Sequence, residues 1–399
     1  MPAQSPGPAL GFLVSNSDAV SISSDSVVPD RVAFFSVAPA GTLTSMYTVR
    51  MDGVGGGGGD FAANRALVVS SSQDTCVFAS FNAKTTPSVA GARSGAIVGI
   101  SVTRQGAIVI GTFSGRPSDS GTTLSGVSYG IGLAATPEYL YASFAASGTT
   151  GTFKIEPGCK LTFVDDVFMV GLGNGWVTGM AVRGGMMVVA YGDGSIESFN
   201  ISRGKPVSNG DVQNSTGYAQ SRLPSGVDIT SDGHFAIFGD ISTDTTVEVS
   251  DISSGKLTRT VYYNFPRDDP RTPAGWNSAN VRLSPDESTI FISNNSSGQV
   301  TAAFFEKVSG RTSLGCTSPP LRNFYNPWTY AGAIGLQLPS GRGGYLYVPE
   351  FGSHSIGVVE YTSNGTRCTL SENATSPLNF IAGIGAAPLS VDVFPRRPF

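Results

Sequence analysis

Short runs of alternating apolar and polar residues recur along the chain and predict β-strands. The segment Gly226–Tyr263 provides a template, with a Ser-Asp-Gly turn after its first strand and a turn at Gly255 before its last. Its four predicted strands are Val227–Thr230, His234–Asp240, Thr246–Asp251 and Lys256–Tyr263. Such alternation suits a sheet that is packed on both faces. Since no stretch of ten residues combines helix formers, helical apolar spacing and capping signals, we predict an all-β chain.

The template repeats along the chain, which predicts a series of similar four-stranded sheets. Further copies begin near Leu67, Gly130, Met180, Asn280 and Ile334. In each copy a glycine marks the turn between the third and fourth predicted strands: Gly41, Gly106, Gly158, Gly204, Gly255, Gly310 and Gly365. The copies start roughly 47 to 63 residues apart, somewhat more than the ~40–50 residues of common β-propeller repeats, and this period predicts propeller blades.

The two ends of the chain are incomplete in complementary ways. Gly11–Ser15, Arg31–Val37 and Gly41–Val49 supply three strands that lack an inner strand, whereas Leu389–Phe394 supplies an inner strand with no blade after it. Joined, they make one more sheet and remove the open edge that a linear array would expose. We therefore predict one domain, residues 1–399, folded as a seven-bladed β-propeller. Each blade has four antiparallel strands, and the C-terminal strand closes the ring on the N-terminal blade.

Composition limits the partners and the location. A net charge of −4 and a pI near 5.3 argue against a nucleic-acid partner, because phosphate binding needs a clustered basic surface. No apolar run reaches the ~18 residues of a membrane span, so no membrane partner is expected. Met1–Pro8 lacks the basic start of a signal peptide. Charged residues make up only 14 % of the chain, which suits an extracellular protein. We expect a secreted monomer whose leader is absent from this sequence.

Six asparagines begin N-x-S/T sequons and are candidate glycosylation sites, although a chain rich in Ser and Thr carries several sequons by chance. They are Asn200, Asn214, Asn294, Asn295, Asn364 and Asn373.

The four cysteines form no C-x-x-C pair, so their spacing does not support a zinc or thioredoxin-type site. Cys316 and Cys368 hold nearly equivalent places in consecutive repeats, which makes a disulfide between neighbouring outer strands plausible. The alternative is that both pack unpaired as small apolar groups.

Long connections between blades surround the predicted mouth of the central channel and carry candidate ligand-binding side chains. Five aromatic residues suit a planar or sugar-like small molecule in the central funnel, or else fill the spaces between blades: Trp176, Trp276, Trp328, Tyr325 and Tyr330. Three arginines precede inner strands and suit a carboxylate or phosphate, or else are ordinary solvated residues: Arg222, Arg271 and Arg322.

His354 is the candidate for proton transfer. It lies in the predicted loop between second and third strands, on the same face as the connections, and Glu350 is close in sequence. A histidine there suits a general base whose pKa lies near neutral pH, and Glu350 is its candidate catalytic partner. The chain has only two histidines and no H-x-x-x-H pattern, so no metal or other cofactor is expected.

The repeats at Leu283–Glu306 and Gly343–Tyr361 resemble the lactonase-type seven-bladed propellers, which include 6-phosphogluconolactonase-like proteins and fungal carboxymuconate-lactonising enzymes. The resemblance covers essentially the whole chain. Members of that family often carry His and Arg just before an inner strand. Here the corresponding positions read Pro224-Ser225-Gly226 and Ser278-Ala279-Asn280, so the catalytic residues of the family do not transfer.

Two functional hypotheses follow. The resemblance implies a lactonase or cycloisomerase that acts on a small carboxylated or lactone substrate in the central funnel. The missing His and Arg favour the alternative, a non-catalytic secreted glycoprotein that binds carbohydrate or protein through the same face.

Overall fold

A computed structural model provides the structure of the protein. It describes residues 11–19, 29–54, 66–70, 74–83, 94–103, 106–113, 131–144, 148–169, 171–173, 177–214, 224–240, 246–265, 278–294, 297–322, 334–338, 342–350, 353–379 and 386–394. None of these residues lies in an α-helix, and none of their segments is a helix long and apolar enough to cross a membrane.

The described strands form a seven-bladed β-propeller with four antiparallel strands in each blade. The N-terminal strands are β1 (Phe12–Ala19), β2 (Pro29–Val37) and β3 (Leu43–Val54). Blade 1 contains β4 (Ala66–Ser70), β5 (Thr75–Ala83), β6 (Ser94–Thr103) and β7 (Gly106–Phe113). Blade 2 contains β8 (Ile131–Ala135), β9 (Tyr139–Phe144), β10 (Thr149–Glu156) and β11 (Lys160–Phe168). Blade 3 contains β12 (Val177–Arg183), β13 (Met186–Tyr191) and β14 (Ser195–Asn200), with β15 (Val207–Ser208) and β16 (Gln213–Asn214) both paired to β14.

The second half of the chain repeats this arrangement. Blade 4 contains β17 (Pro224–Ile229), β18 (Phe235–Asp240), β19 (Thr246–Asp251) and β20 (Arg259–Asn264). Blade 5 contains β21 (Ser278–Leu283), β22 (Thr289–Asn294), β23 (Gln299–Glu306) and β24 (Arg311–Thr317). Blade 6 contains β25 (Gly335–Gln337), β26 (Gly343–Glu350), β27 (Ser355–Ser363) and β28 (Cys368–Glu372), with β29 (Leu378–Asn379) paired to β27. Blade 7 joins β30 (Ala386–Phe394) to β1, β2 and β3.

The predicted ring closure is confirmed. β30 pairs antiparallel with β1, and Phe12 lies opposite Phe394. β30 also reaches the inner strand of blade 1, because the backbone N–H of Val68 donates to the carboxylate of Asp392 at 2.9 Å. The last strand therefore completes blade 7 and links it to the next blade.

Apolar clusters fill the interfaces between adjacent blades and account for much of the packing. Seven clusters of buried residues occur in the described part of the chain, and each joins two neighbouring blades. Between blades 5 and 6, for example, Phe291 meets Tyr361 edge to face with ring centroids 4.8 Å apart. Each strand thus buries alternate side chains towards opposite neighbours, which explains the alternation seen in the sequence.

The seven turn glycines all have positive φ, between +70° and +136°, a region that side chains with a Cβ rarely adopt. Some of them also lie against the preceding blade. A Cβ on Gly204 would come within 2.6 Å of the Tyr139 ring, and one on Gly310 within 2.7 Å of the Phe235 ring. Glycine is therefore needed at these turns for backbone conformation and, at several of them, for the close approach of two blades.

Two disulfides link neighbouring blades. The structure contains the predicted Cys316–Cys368 pair, which joins the outer strands of blades 5 and 6 with a Cα–Cα distance of 5.7 Å. A second pair that was not predicted, Cys76–Cys159, joins blades 1 and 2 with a Cα–Cα distance of 5.4 Å. Both distances are usual for disulfides.

Candidate functional site

Antiparallel strands give the propeller two faces, and the candidate residues that the structure describes lie on one of them. The connections from a fourth strand to the next blade share a face with the loops between second and third strands, and we call this the upper face. Glu350, His354 and Arg322 are on it. The other predicted ligand-binding residues lie outside the described residues: Trp176, Arg222, Arg271, Trp276, Tyr325, Trp328 and Tyr330.

Glu350 ends β26 and is buried, with 3 % of its surface exposed. Leu346 and Val348 of the same strand pack against blade 5, and Glu350 continues this alternate series. One carboxylate oxygen, Oε2, accepts hydrogen bonds from the hydroxyls of Ser355 and, at 3.4 Å, Ser353. The other oxygen, Oε1, is buried and has no hydrogen-bond partner among the described residues. A buried acceptor without a donor is unfavourable, so this oxygen is an unusual feature of the interface.

The surroundings raise the pKa of Glu350 to about 7. Burial is the main cause, since it disfavours the charged carboxylate, and the nearby negative charge of Glu372 adds to it. The hydroxyls of Ser355 and Ser353 act in the opposite direction because they donate to the carboxylate. Near neutral pH the carboxyl of Glu350 is thus present in both its protonated and its ionised form.

A glycine makes room for the Glu350 carboxylate. A Cβ at Gly357 on β27 would lie 2.9 Å from Oε1 of Glu350 and 3.1 Å from a methyl group of Leu321. Any larger residue at that position would have to displace one of these side chains.

Arg322 contacts residues at the end of β28. Its Nε lies 3.2 Å from Oε2 of Glu372, and its backbone N–H donates to the same oxygen at 2.7 Å. Its Nη2 also donates to the backbone carbonyl of Asn373 at 2.7 Å. Part of the guanidinium therefore already serves an ion pair within the protein. The side chain is otherwise 53 % exposed, and its binding of a carboxylate or phosphate stays a prediction.

His354 lies within the same loop as the two serines that contact Glu350. The hydroxyls of Ser353 and Ser355 are 2.8 Å apart, and His354 stands between them in sequence with φ at +57°. A non-glycine residue in this region is uncommon and is often found at functional loops. The loop thus places an imidazole and a buried carboxyl group within one short segment, a combination suited to proton transfer.

No cluster of three or more potential metal ligands from His, Cys, Asp and Glu occurs in the part of the chain that the structure describes.

Comparisons with known proteins bear on the fold. No family model matches the chain, and no curated protein matches its sequence at a significant level. Among solved structures, the periplasmic gluconolactonase of Pseudomonas aeruginosa superposes with a TM-score of 0.66 at 12 % identity, covering 96 % of this chain and 99 % of the other. A Bacteroides fragilis protein proposed to be a 6-phosphogluconolactonase gives a TM-score of 0.62 at 15 % identity, covering 97 % and 99 %. The chain has the fold of the lactonase-type seven-bladed propellers.

The segments without His and Arg begin inner strands, as expected. Pro224 is the first residue of β17 and Ser278 the first of β21. The Pro224 carbonyl accepts a hydrogen bond from the Thr178 hydroxyl at 2.6 Å, which links blades 3 and 4. At this position a backbone carbonyl takes part in the contact between blades.

One candidate glycosylation site, Asn294, is buried. Asn294 is fully buried at the end of β22, and its Nδ2 donates to Thr301 Oγ1 at 3.0 Å and to the Gln299 carbonyl at 3.2 Å. A glycan on that nitrogen would replace one of its two hydrogens and remove one of these hydrogen bonds, and the fully buried side chain leaves no space for it. Asn294 is the last residue of the segment Thr289–Asn294, which forms an inner-lying strand of blade 5, and this position is the signal that could have identified it as buried.

Three other sequons lie in turns that their own side chains stabilise. Asn200 and Asn364 are exposed and Asn373 is half-buried, and each Oδ1 accepts from the backbone N–H and hydroxyl two residues on. Asp251, which is not part of a sequon, makes the same contacts with Ser253. This type of turn therefore forms whether or not its first residue can carry a glycan. Asn214 is exposed at the end of β16, and Asn295 lies outside the described residues.

Proposed function

We propose that the chain is a lactonase-type enzyme that opens, or in reverse closes, the ring of a small lactone or carboxylated substrate at the upper face. The observation that supports this most directly is Glu350, a buried carboxyl group with a pKa of about 7 and one unpartnered oxygen. Enzymes place acid–base groups in such surroundings because a general base works best with a pKa near the working pH. The shared fold with the gluconolactonase of P. aeruginosa is consistent with this reaction class.

In the proposed reaction, Glu350 is the general base for ring opening. Its ionised carboxylate takes a proton from a water molecule as the water oxygen bonds to the lactone carbonyl carbon. The tetrahedral intermediate then collapses with cleavage of the ring C–O bond. The proton passes to the departing alkoxide, so the product is a hydroxy acid and Glu350 is ionised again. His354, on the same loop, would relay protons between this buried carboxyl group and the substrate.

The test is turnover of a lactone panel by the full chain and by Glu350→Gln. We expect kcat/KM to fall by about 10²- to 10⁴-fold on at least one lactone, the usual effect of removing a general base. Glu287→Gln is the matched control, since Glu287 is equally buried but lies at the opposite face. Wild-type turnover that persists unchanged in Glu350→Gln contradicts the proposal.

The variant His354→Ala tests the role of His354 separately from that of Glu350. If His354 relays protons, its removal lowers kcat more than it raises KM, because the group acts in the chemical step. Turnover unaffected by this substitution would leave Glu350 as the base and remove His354 from the mechanism.

The second candidate function is a non-catalytic secreted glycoprotein that binds carbohydrate or protein at the same face. It is favoured by the inner strands that begin without His or Arg. All four cysteines are paired in disulfides, which persist in oxidising compartments and support secretion.

No turnover on any lactone, combined with saturable binding of a glycan on an array, would favour this function. A decrease in the mass of the native protein after glycosidase treatment would support secretion, and an unchanged mass would count against it.

A further inference from the structure

Two carboxylates share one face of blade 6, at the interface with blade 5. Gly357 and Val359 are alternate residues of β27, so they lie on the same side of the sheet. Glu350 Oε1 would touch a Cβ on Gly357, and Glu372 is the cross-strand partner of Val359. Glu350 and Glu372 therefore project towards blade 5 near the upper face. Two ionised carboxylates close together disfavour each other's charged form.

Arg322 compensates one of these charges. The side chain of Glu372 is only 11 % exposed, and its Oε2 receives both the Nε and the backbone N–H of Arg322. Its Oε1 accepts the hydroxyl of Ser376 at 2.6 Å, and the Ser376 oxygen in turn accepts the N–H of Val358 at 2.9 Å. The ion pair and these hydrogen bonds fix the Glu372 carboxylate in position, and Arg322 is the cation in direct contact with it.

We propose that Arg322 is a positioning residue whose ion pair neutralises Glu372 and so limits the effect of that carboxylate on Glu350, which lies on the same face of blade 6. The role deepens the proposed function, since it matters for catalysis only if Glu350 is the base. Among the described residues, the titratable or charged groups around Glu350 are Glu372 on β28, Arg322 on the connection from blade 5, and His354 on its own loop. Neither Arg322 nor Glu372 needs to touch the substrate.

The experiment measures the ionisation of Glu350 through stability, so it does not depend on turnover. The free energy of unfolding is determined by urea titration from pH 4 to pH 9 for each protein and for the same protein carrying Glu350→Gln. The difference between the two curves isolates the titration of Glu350. Arg322→Gln should move the midpoint of this difference to higher pH, on the order of one pH unit, because Glu372 loses its counter-charge. Glu372→Gln should move it to lower pH.

Two further variants separate charge from structure. Arg322→Lys keeps the positive charge but not the forked contact with Asn373, so we expect a midpoint near that of the wild type. In Arg322→Gln/Glu372→Gln the midpoint should equal that of Glu372→Gln alone, since Arg322 is proposed to act only through Glu372. An unchanged midpoint in Arg322→Gln, or a shift of equal size without Glu372, overturns the proposal. Loss of turnover is a separate readout, so a protein that turns over no lactone but shows these shifts would contradict only the proposed function.

Discussion

The two faces of the propeller each bury a glutamate to the same extent, but the glutamate at one face contacts a cation and the glutamate at the other lies near a second carboxylate. Glu350 at the upper face and Glu287 at the lower face are both 3 % exposed. Glu287 accepts from the backbone and hydroxyl of Ser231 on blade 4 and lies 2.6 Å from the ammonium of Lys307. Glu350 has two serine hydroxyls, a second carboxylate nearby and no cation in direct contact among the described residues.

The difference separates a structural carboxylate from a candidate functional one. Lys307 also lies 3.3 Å from Asp232, so the lower cluster joins the turns of blades 4 and 5 with its charges compensated. Burying a carboxylate without such compensation is unfavourable, and native proteins usually avoid it. Keeping Glu350 buried without a contacting cation lowers the stability of the fold, which is common where a group is retained for its reactivity.

The sharpest test of this contrast is the same substitution at both sites. The folded protein raises the pKa of Glu350 from 4.5 to about 7, so its contribution to stability is fully present below pH 4.5 and is lost as the pH rises through about 7. Since one pKa unit corresponds to about 1.4 kcal/mol, Glu350→Gln should gain about 3 kcal/mol relative to wild type between pH 4 and pH 8. Urea unfolding at both pH values measures the change.

Glu287→Gln should have the opposite sign at neutral pH. The neutral amide loses the ion pair with Lys307, and its NH₂ group can oppose the donors of Ser231, so we expect a loss of about 2 kcal/mol. If both variants are destabilised equally at pH 8, the two glutamates are equivalent and the contrast between the faces fails.

A second test removes the cation of the lower cluster. Lys307→Met leaves Glu287 buried beside Ser231 without its counter-charge, and we expect a loss of about 2 kcal/mol, moderated because the lysine side chain is 39 % exposed. The matched control is Lys205→Met, which removes an exposed lysine paired with Asp165 and should change the stability by less than about 1 kcal/mol. Thermal unfolding of the three proteins in one buffer would show the ranking. Equal losses would mean that burial of the acidic partner does not matter.

The fold could be predicted because its determinants are local and repeated. The turn glycines, including Gly204 and Gly310, need positive φ, and this need is visible in the sequence at each repeat. The strand Leu389–Phe394 has no other place to pair, which predicted the closure with the N-terminal blade.

The candidate site could be predicted only in part because it is assembled from distant segments. Glu350 and His354 are neighbours in sequence, but the burial of Glu350 depends on Gly357 and Leu321, which belong to different elements. Cys76–Cys159 was missed for the same reason, since a strand start and a turn do not occupy equivalent positions in their repeats.

The smallest predicted effect concerns the space below the Glu350 carboxylate. Gly357→Ala should cost about 1 to 2 kcal/mol, because the new methyl group would press on Oε1 of Glu350 and on Leu321. In a Glu350→Ala background the carboxylate is gone, so the same substitution should cost about 1 kcal/mol less, and a double-mutant cycle by urea unfolding measures this coupling. Gly343→Ala on the same blade is the control, since its nearest neighbour is a carbonyl oxygen at 3.5 Å. A coupling of zero would show that Gly357 does not support the carboxylate. A positive coupling would show that the upper face holds Glu350 in position by close packing, whereas the lower face holds Glu287 by charge.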